Sequence, residues 1–391
     1  MLGQTAMYFL LPVFQLLATS QHYPSFEQQT IDDRVSIGYG LAIGDVDGDG
    51  KPDILLADKK AFVWYRNGDW KRFAMVENLT EHDNVCIAAR DIDGDGKVEV
   101  AVGAQWNPGE TSDTAQSGSV HYLIRPDDPT EPWTPVKLHH EPTVHRMRWA
   151  KAAEGKYHLI VLPLHGRGNT NGEGKGVKVI AYEKPEDLTQ PWSHWVIDES
   201  MHLTHNLDVH GKGTSDSVYI GGKEGVKVFS YSKNRWRNKW LIKGQEFSEL
   251  RVGNAGKGTP MLAAIGPLHG NVVAVYVPRA GVPKISTAER VVLDEELNQG
   301  HALATADFTG SGRDQIVAGW RSPTDKGHTG IKLYIPFNAL WEAWTTRAVD
   351  IGDMACEDLA VADLNGDGKP DIVASGRSTH NLKIYWNRSG E

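Results

Sequence analysis

The stretch Asp45-Val-Asp-Gly-Asp-Gly-Lys-Pro-Asp53 lies between two short apolar runs. Nearly the same sequence returns at Asp91-Ile-Asp-Gly-Asp-Gly-Lys-Val-Glu99 and at Asp363-Leu-Asn-Gly-Asp-Gly-Lys-Pro-Asp371, and a degenerate copy begins at Asp307. Each stretch reads as a tight acidic loop between two strands, because Asp and Gly favour turns and the flanking runs are strand-like. The chain is therefore predicted to consist of repeated β units.

The spacing of these loops predicts the number of units. Asp45 and Asp91 are 46 residues apart, and Asp307 and Asp363 are 56 apart. The 216 residues between Asp91 and Asp307 correspond to four periods of 54. Three further units are therefore expected there, with eroded loops, that is, loops that lack the acidic pattern. We place them near Trp149 to Leu162, Asp208 to Ile220 and Val252 to Ala264. The count is seven.

Each unit contains four strand-like runs. In the first unit they are Leu41 to Asp47, Asp53 to Asp58, Ala61 to Asn67 and Trp70 to Val76. Four strands in about 50 residues are typical of one propeller blade, so the fold class is predicted as an all-β, seven-bladed β-propeller. The last unit ends at Trp386 with three strands. The segment Ser25 to Ile31 resembles a fourth strand and is expected to close that blade, which removes a free sheet edge.

Composition limits the classes of function. The 391 residues alone suggest two or three domains, but a repeat can form one continuous domain of this size. A net charge of −9 without a basic run argues against a nucleic-acid partner. The two cysteines, Cys86 and Cys356, form neither a disulfide framework nor a zinc motif and are predicted to be buried thiols.

The N-terminus resembles an export signal. Ala6 to Leu17 is mostly apolar but too short to span a bilayer, and Ala18-Thr-Ser20 provides small residues for cleavage. We expect residues 1–20 to be a signal peptide, residues 21–391 to be the propeller, and the protein to be secreted or periplasmic. No other segment is long and apolar enough to span a membrane.

The acidic loops predict structural calcium sites. Oxygen-bearing side chains at loop positions 1, 3, 5 and 9, with glycines at positions 4 and 6, can surround a hard cation. The alternative is a set of turns that use Asp and Gly only for local hydrogen bonds. The candidate ligands are Asp45, Asp47, Asp49 and Asp53; Asp91, Asp93, Asp95 and Glu99; and Asp363, Asn365, Asp367 and Asp371.

These loops resemble those of the FG-GAP/VCBS family of propellers, and this resemblance covers nearly the whole predicted mature chain. The middle units carry a narrower resemblance to the propeller domain of aldos-2-ulose dehydratases. It rests on Val144-His-Arg-Met-Arg148, His202-Leu-Thr-His205, Gly266-Pro-Leu-His-Gly270 and Gly300-His301. The resemblance implies elimination of water from keto- or anhydro-sugars. Propeller polysaccharide lyases are a looser parallel.

The repeat register predicts that side chains from several units line one mouth of the central channel, as a funnel on the face opposite the acidic loops. Tyr39, His202, His301 and Glu357 each lie six positions before the first loop residue or its equivalent, and His145 falls within one position of the same place. A second set follows the second strand of several units. Its members include Trp106, His165, Arg167, His269, Trp320, Arg321 and Arg377.

Histidines beside cations suit a β-elimination on a sugar, because a neutral imidazole can remove a proton next to a carbonyl or carboxylate. We expect His145 or His202 to be the base and Arg148 or Arg321 to stabilise the anion. His269 and His301 are expected to hold the substrate, the leaving group or a divalent transition metal. The predicted sugar contacts are Tyr39, Trp106, His165, Arg167, His205, Trp320, Glu357 and Arg377.

Two functions remain open from the sequence. The first is a carbohydrate lyase or dehydratase. The second is a non-catalytic propeller that binds glycans or proteins.

Overall fold

A computed structural model describes residues 23–390 except 189, 212, 280, 283, 338–340 and 342. Within these residues, 28 strands form seven four-stranded antiparallel sheets. The predicted signal peptide, residues 1–20, lies outside the described residues. The one helical element described is a short 3-10 helix, Ile285–Thr287, and no described helix has the length and apolar character needed to cross a bilayer.

The strands follow one another blade by blade, apart from the first, β1 (Phe26–Asp32). The first two blades contain β2 (Gly40–Gly44), β3 (Asp53–Ala57), β4 (Ala61–Tyr65), β5 (Arg72–Glu77), β6 (Cys86–Arg90), β7 (Glu99–Ala104), β8 (Ser119–Ile124) and β9 (Thr134–Leu138). The next two contain β10 (Val144–Ala153), β11 (Lys156–Pro163), β12 (Val179–Glu183), β13 (Ser193–Asp198), β14 (Thr204–His210), β15 (Ser217–Gly222), β16 (Gly225–Ser232) and β17 (Arg235–Lys243). The last three contain β18 (Glu249–Asn254), β19 (Pro260–Gly266), β20 (Val272–Tyr276), β21 (Arg290–Asp294), β22 (Gly300–Ala306), β23 (Gln315–Trp320), β24 (Gly330–Pro336), β25 (Trp344–Ile351), β26 (Cys356–Ala362), β27 (Asp371–Gly376) and β28 (Leu382–Asn387).

The first strands of the blades form a closed ring around a central channel. β2 contacts β6, the contacts continue through β10, β14, β18 and β22, and β26 contacts β2. The predicted seven-bladed propeller is therefore confirmed, including the three units with eroded loops, which lie at β10–β11, β14–β15 and β18–β19.

The core lies between adjacent blades. The middle strands carry apolar residues on both faces: all of Asp53–Ala57 and Glu99–Ala104 is buried. The outermost strands are mostly exposed or half-buried, as in Arg72–Glu77. Both cysteines are buried and free, as predicted.

The N-terminal strand completes the last blade. β1 pairs antiparallel with β28, with Phe26 opposite Asn387 and Gln29 opposite Ile384. Phe26 also makes an edge-to-face contact with Phe308 of the preceding blade, with 5.7 Å between ring centroids. The predicted closure is confirmed, and the ring has no unpaired outer strand at this joint.

His158 should make stability depend on pH. It is fully buried, and its Nδ1 accepts a hydrogen bond of 3.0 Å from Nε1 of Trp236. Burial, with a smaller contribution from the charge of Lys156, lowers its pKa to about 4. The unfolded chain binds a proton near pH 6.5, whereas the folded chain resists it until about pH 4. The folded state therefore keeps its full stability above pH 6.5, where His158 is neutral in both states. Stability is lost as the pH falls toward 4, because the unfolded chain takes up a proton that the folded chain does not.

The unfolding free energy of the wild type should fall between about pH 6.5 and 4. We expect His158→Gln to reduce the slope of this fall by up to the amount that corresponds to about one bound proton. Chemical denaturation at a series of pH values measures this. Unfolding free energies above about pH 7 provide the control, because there wild type and His158→Gln should show the same slope. An equal slope in wild type and His158→Gln at the lower pH values contradicts the assignment.

Candidate functional site

The channel contains a cavity of about 240 Å³ at the mouth opposite the acidic loops. We call this cavity the funnel. The first strands supply some of its walls, and the segments after the second strands supply others. Its lining residues are Tyr39, Val85, Trp106, Pro108, His145, Arg146, Leu164, His205, Leu268, His269, His301, Arg321, Glu357 and Arg377. Nine of the predicted site residues thus meet in one cavity, and their roles remain predictions.

Local irregularities in the first strands aim the key side chains into the funnel. The pairing register shifts between Val144 and Arg146, so His145 has no partner opposite it. Similar shifts occur around His205, His301 and Glu357. A β-bulge turns the inserted residue out of the regular alternation and often lies beside a functional site. Four blades use it here for a histidine or a carboxylate.

Four histidine rings form a compact cluster with His205 at its centre. The ring centroid of His205 lies 4.6 Å from that of His145, 4.8 Å from that of His269 and 5.3 Å from that of His301. The rings of His269 and His301 are 5.1 Å apart. Trp106 covers His145, with 5.1 Å between ring centroids.

Hydrogen bonds to the main chain fix the tautomers of two of these rings. Nδ1 of His145 lies 2.7 Å from the carbonyl oxygen of His205, and Nδ1 of His301 lies 2.6 Å from that of Glu357. A carbonyl can only accept, so in both neutral rings Nδ1 carries the proton and Nε2 carries a lone pair. His145 and His301 therefore each present a basic nitrogen.

A buried carboxylate orients the central ring. Nδ1 of His205 lies 3.0 Å from Oε1 of Glu249, whose other oxygen accepts a hydrogen bond from the side chain of Asn206. Nε2 of His205 lies 3.0 Å from Nε2 of His269. Burial raises the pKa of Glu249, but the hydrogen bond from His205 and nearby cations outweigh it, so the net shift is downward. Glu249 is thus an ionised partner for the cluster.

Burial keeps the histidines neutral. It lowers the pKa of His145 and His301 well below the usual value, and the charges of Arg146 and Arg321, respectively, add to the effect. Burial lowers the pKa of His269 to about 3, and the neighbouring His205 and Arg321 add to the effect. Neutral imidazoles can act as bases or as metal ligands at neutral pH.

Glu357 forms ion pairs with two of the funnel arginines. Nη1 of Arg321 lies 3.0 and 2.9 Å from the two carboxylate oxygens of Glu357, and Nη1 of Arg377 lies 2.9 Å from Oε1. Arg377 also lies over the ring of Tyr39, at 5.5 Å from its centroid. Two guanidinium groups and one carboxylate leave a net positive charge on this wall of the funnel.

Sequence reasoning missed Arg146 and Glu249. Arg146 follows His145 directly, and a regular strand would send adjacent side chains to opposite faces. The bulge at His145 allows both to line the funnel. Glu249 begins β18 at the depth of the cluster, and its position in a unit without a recognisable loop gave no signal.

Five predicted residues do not line the funnel. Arg148 lies in the other half of the channel, where its Nη1 donates to the carbonyl of Met147, because it lies two residues beyond Arg146 along the strand. His202 precedes β14 and pairs with Glu224 at 2.8 Å. His165 forms an isolated antiparallel β-bridge with Leu203. Arg167 forms an ion pair with Glu141 at 3.0 Å. Trp320 is 1% exposed and packs in the core, so it cannot stack on a sugar.

The acidic loops lie on the opposite face and share one geometry. The two oxygens of Asp45 accept hydrogen bonds from the amides of Gly48 and Gly50 at 2.6 and 2.8 Å. Both glycines have φ of +82°, a conformation that side-chain-bearing residues rarely adopt. Asp53, at position 9, is buried and accepts from the amides of Val46 and Asn67. The loop is therefore held in shape by its own carboxylates.

Two of these loops bring three carboxylates together. One oxygen each from Asp45, Asp47 and Asp53 lie within 4.8 Å of one another, and the group Asp91, Asp93 and Glu99 meets the same limit. Burial raises the pKa of Asp53 and of Glu99 to about 7, and neighbouring aspartates add to it. A divalent cation would offset this repulsion, so these loops remain our proposed calcium sites.

Chelation should destabilise the protein. A calcium ion that binds only the folded chain would stabilise it by about 2.7 kcal/mol per site at a free concentration of 100 times the dissociation constant. We expect a chelator to lower the melting temperature and calcium to restore it. Asp91→Ala should reduce this response, whereas Asp307→Ala, in the degenerate loop, should retain it. An unchanged melt in excess chelator rules out a stabilising calcium site.

The fold and the funnel define a class: a seven-bladed propeller with FG-GAP repeats and a histidine cluster at one mouth of its channel. Residues 32–102 match the FG-GAP-like repeat, and residues 87–123 and 357–378 match the FG-GAP repeat. Residues 117–279 match the family described as the β-propeller domain of aldos-2-ulose dehydratase. This range contains His145, Arg146, His205, Glu249 and His269.

Two curated relatives agree with these matches. Aldos-2-ulose dehydratase of Phanerodontia chrysosporium is 24% identical over 331 residues, which cover 76% of this chain and 36% of the relative. Integrin alpha-PS2 of Drosophila melanogaster is 26% identical over 180 residues, covering 43% of this chain and 12% of the integrin. The match therefore spans about a third of the length of the dehydratase.

Solved structures share the fold. A chain of the mitotic checkpoint complex superposes with a TM-score of 0.56 at 11% identity, covering 98% of this chain and 99% of the other. BBS1N in complex with ARL6DN gives 0.56 at 12% identity, covering 94% and 97%. At these identities the similarity concerns the propeller architecture alone.

Proposed function

We propose that this protein is an exported carbohydrate lyase that eliminates water or an alcohol from a keto-sugar, an anhydro-sugar or a uronic-acid glycan. The observation that carries the proposal is the fixed tautomer of His145, which presents an unprotonated Nε2 inside an enclosed, cation-lined cavity. The similarity of residues 117–279 to the dehydratase propeller supports a sugar ligand.

The funnel residues suit the steps of a β-elimination. Nε2 of His145 takes the proton from the carbon next to the carbonyl or carboxylate. Negative charge then develops on that group's oxygen, and the nearby Arg146 guanidinium stabilises it. The bond from the β-carbon to its oxygen breaks as the double bond forms. The departing oxygen receives the proton carried by the His145 imidazolium, so the enzyme returns to its starting state.

His205, His269 and His301 form a second functional candidate, a site for a divalent transition metal. One nitrogen from each ring lies within 4.8 Å of the others. Nδ1 of His205 donates to a carboxylate, and Nδ1 of His301 donates to a carbonyl. Metal-binding histidines typically use the ring nitrogen that does not bind the metal in this way. The residues therefore fit such an ion. When bound, it would polarise the substrate carbonyl as a Lewis acid.

The alternative function is a non-catalytic propeller that binds glycans or proteins. The FG-GAP repeats and the match to an integrin favour it. A binding module does not require a basic nitrogen with a fixed tautomer next to cations.

The two functions are separated by incubating the protein with keto-sugars, anhydro-sugars and uronic-acid glycans and following ultraviolet absorbance. An elimination creates a double bond conjugated to a carbonyl or carboxylate, so we expect absorbance to rise with time for at least one compound, with and without added zinc or manganese. Binding to the funnel without any unsaturated product would instead support the binding module.

A further inference from the structure

We propose that the funnel selects sugars that carry a carboxylate and that Arg146 is the residue that recognises it. The nature of the ligand, a sugar, rests on the proposed function; the preference for a negative charge rests on the geometry below. Arg146 would thereby determine specificity within the sugar classes named above.

Arg146 has unused hydrogen-bonding capacity in a buried position. Its residue is 3% exposed and lines the funnel. Nη1 makes two long contacts, of 3.3 and 3.4 Å, to the carbonyl oxygens of Val85 and His145. Nη2 is buried and has no hydrogen-bond partner. A buried donor without a partner is costly, and a carboxylate is the acceptor that fits a guanidinium best.

The protein's own carboxylates are engaged elsewhere. Among the described residues, none lies within ion-pair distance of Arg146. Glu249 is held by His205 and Asn206. Asp358 accepts the amides of Leu41 and Leu359 at 2.8 and 2.9 Å. Glu357 is shared by the other two funnel arginines. A ligand carboxylate would therefore supply an acceptor that the described carboxylates do not.

The charge balance of the funnel leads to the same conclusion. Its lining contains three arginines, Arg146, Arg321 and Arg377, and one carboxylate, Glu357, while a second carboxylate, Glu249, lies directly behind His205. A neutral sugar would leave this excess of positive charge enclosed, whereas a uronate brings one compensating charge. A site that holds a buried charged donor discriminates strongly against ligands that cannot pair with it.

The experiment compares acids with their methyl esters, which differ in charge and little else. Trigalacturonate and a glucuronate oligosaccharide are titrated into the full chain by calorimetry, each beside its methyl ester. We expect each acid that binds to do so about tenfold or more tightly than its ester, the effect of one charge-assisted hydrogen bond. Arg146→Gln should bring the ratio close to one. Arg148→Gln, which the structure places outside the funnel, should keep the wild-type ratio.

Several results overturn the inference: equal binding of acids and esters, tighter binding of esters, no binding of either acid, or a wild-type ratio in Arg146→Gln. If that variant does not fold, Arg146→Lys replaces it, and the single charge without the forked geometry should lower the ratio without abolishing it. The wild-type ratio alone is also decisive. Product formation is measured separately: acid preference without unsaturated product rejects the lyase function, and product from neutral sugars without acid preference rejects this inference.

Discussion

His145→Gln is expected to lower turnover by a factor of about 10²–10⁴, because it removes the positioned base. Glutamine can still donate to the carbonyl of His205, the contact that Nδ1 makes at 2.7 Å, so the local main chain should keep its conformation. Initial rates on the best substrate, followed by the absorbance of the unsaturated product, measure the loss. The melting temperature should stay near that of the wild type.

His202→Gln is the matched control. His202 is a histidine of the neighbouring blade that pairs with Glu224 and does not line the funnel. It should retain the wild-type rate. A His145→Gln enzyme with nearly full turnover would show that His145 is not the base. A large fall in melting temperature with activity lost in proportion would assign His145 a structural role instead.

Deleting residues 1–32 is expected to have the largest effect on folding. The deletion removes β1 and leaves the edge of β28 unpaired. Several main-chain hydrogen bonds at about 1 kcal/mol each are lost, which together approach the net stability of an ordinary domain of 5–15 kcal/mol. The exposed edge can also pair with other chains. We expect an aggregated protein or one with a greatly lowered melting temperature.

Deletion of residues 1–22 controls for the loss of the N-terminus itself, since it leaves β1 intact. Size-exclusion chromatography and thermal melts compare the two. A soluble monomer with a wild-type melt after removal of residues 1–32 would mean that β1 contributes nothing essential to closure.

The architecture could be predicted from the sequence because each repeat contains short sequence patterns that can be recognised locally. The acidic loops have a fixed pattern, and counting between them placed even the eroded units, such as the one at β10–β11. The closing strand was recognisable because the last unit lacked one. Counting also placed His145, His269 and His301 at one mouth, since equivalent positions in a ring of blades face the same channel.

Counting failed where the strand departs from regular alternation. The bulge at His145 turns Arg146 into the funnel and leaves Arg148 deeper in the channel, and nothing in the sequence marks a bulge. Trp320 was predicted to follow the second strand and to face the ligand, but it is the last residue of β23. Its indole instead packs in the core and donates to the carbonyl of His328 at 3.0 Å.

Long-range partners were also hidden. Glu249 is separated from His205 by 44 residues, and only the folded ring brings their side chains to 3.0 Å. Tautomers, burial and the unpaired nitrogen of Arg146 all depend on such contacts. A sequence can therefore indicate which blades contribute to the funnel, whereas the structure is needed to see which atom each one presents.

A crystal structure of the protein soaked with a substrate or product from the sugar panel tests the central claim most directly. The account predicts the sugar in the funnel, with the carbon that loses its proton within about 3–3.5 Å of Nε2 of His145 and the adjacent carbonyl or carboxylate facing Arg146 and the histidine cluster. A sugar bound outside the funnel, or one whose acidic carbon faces away from His145, would contradict it.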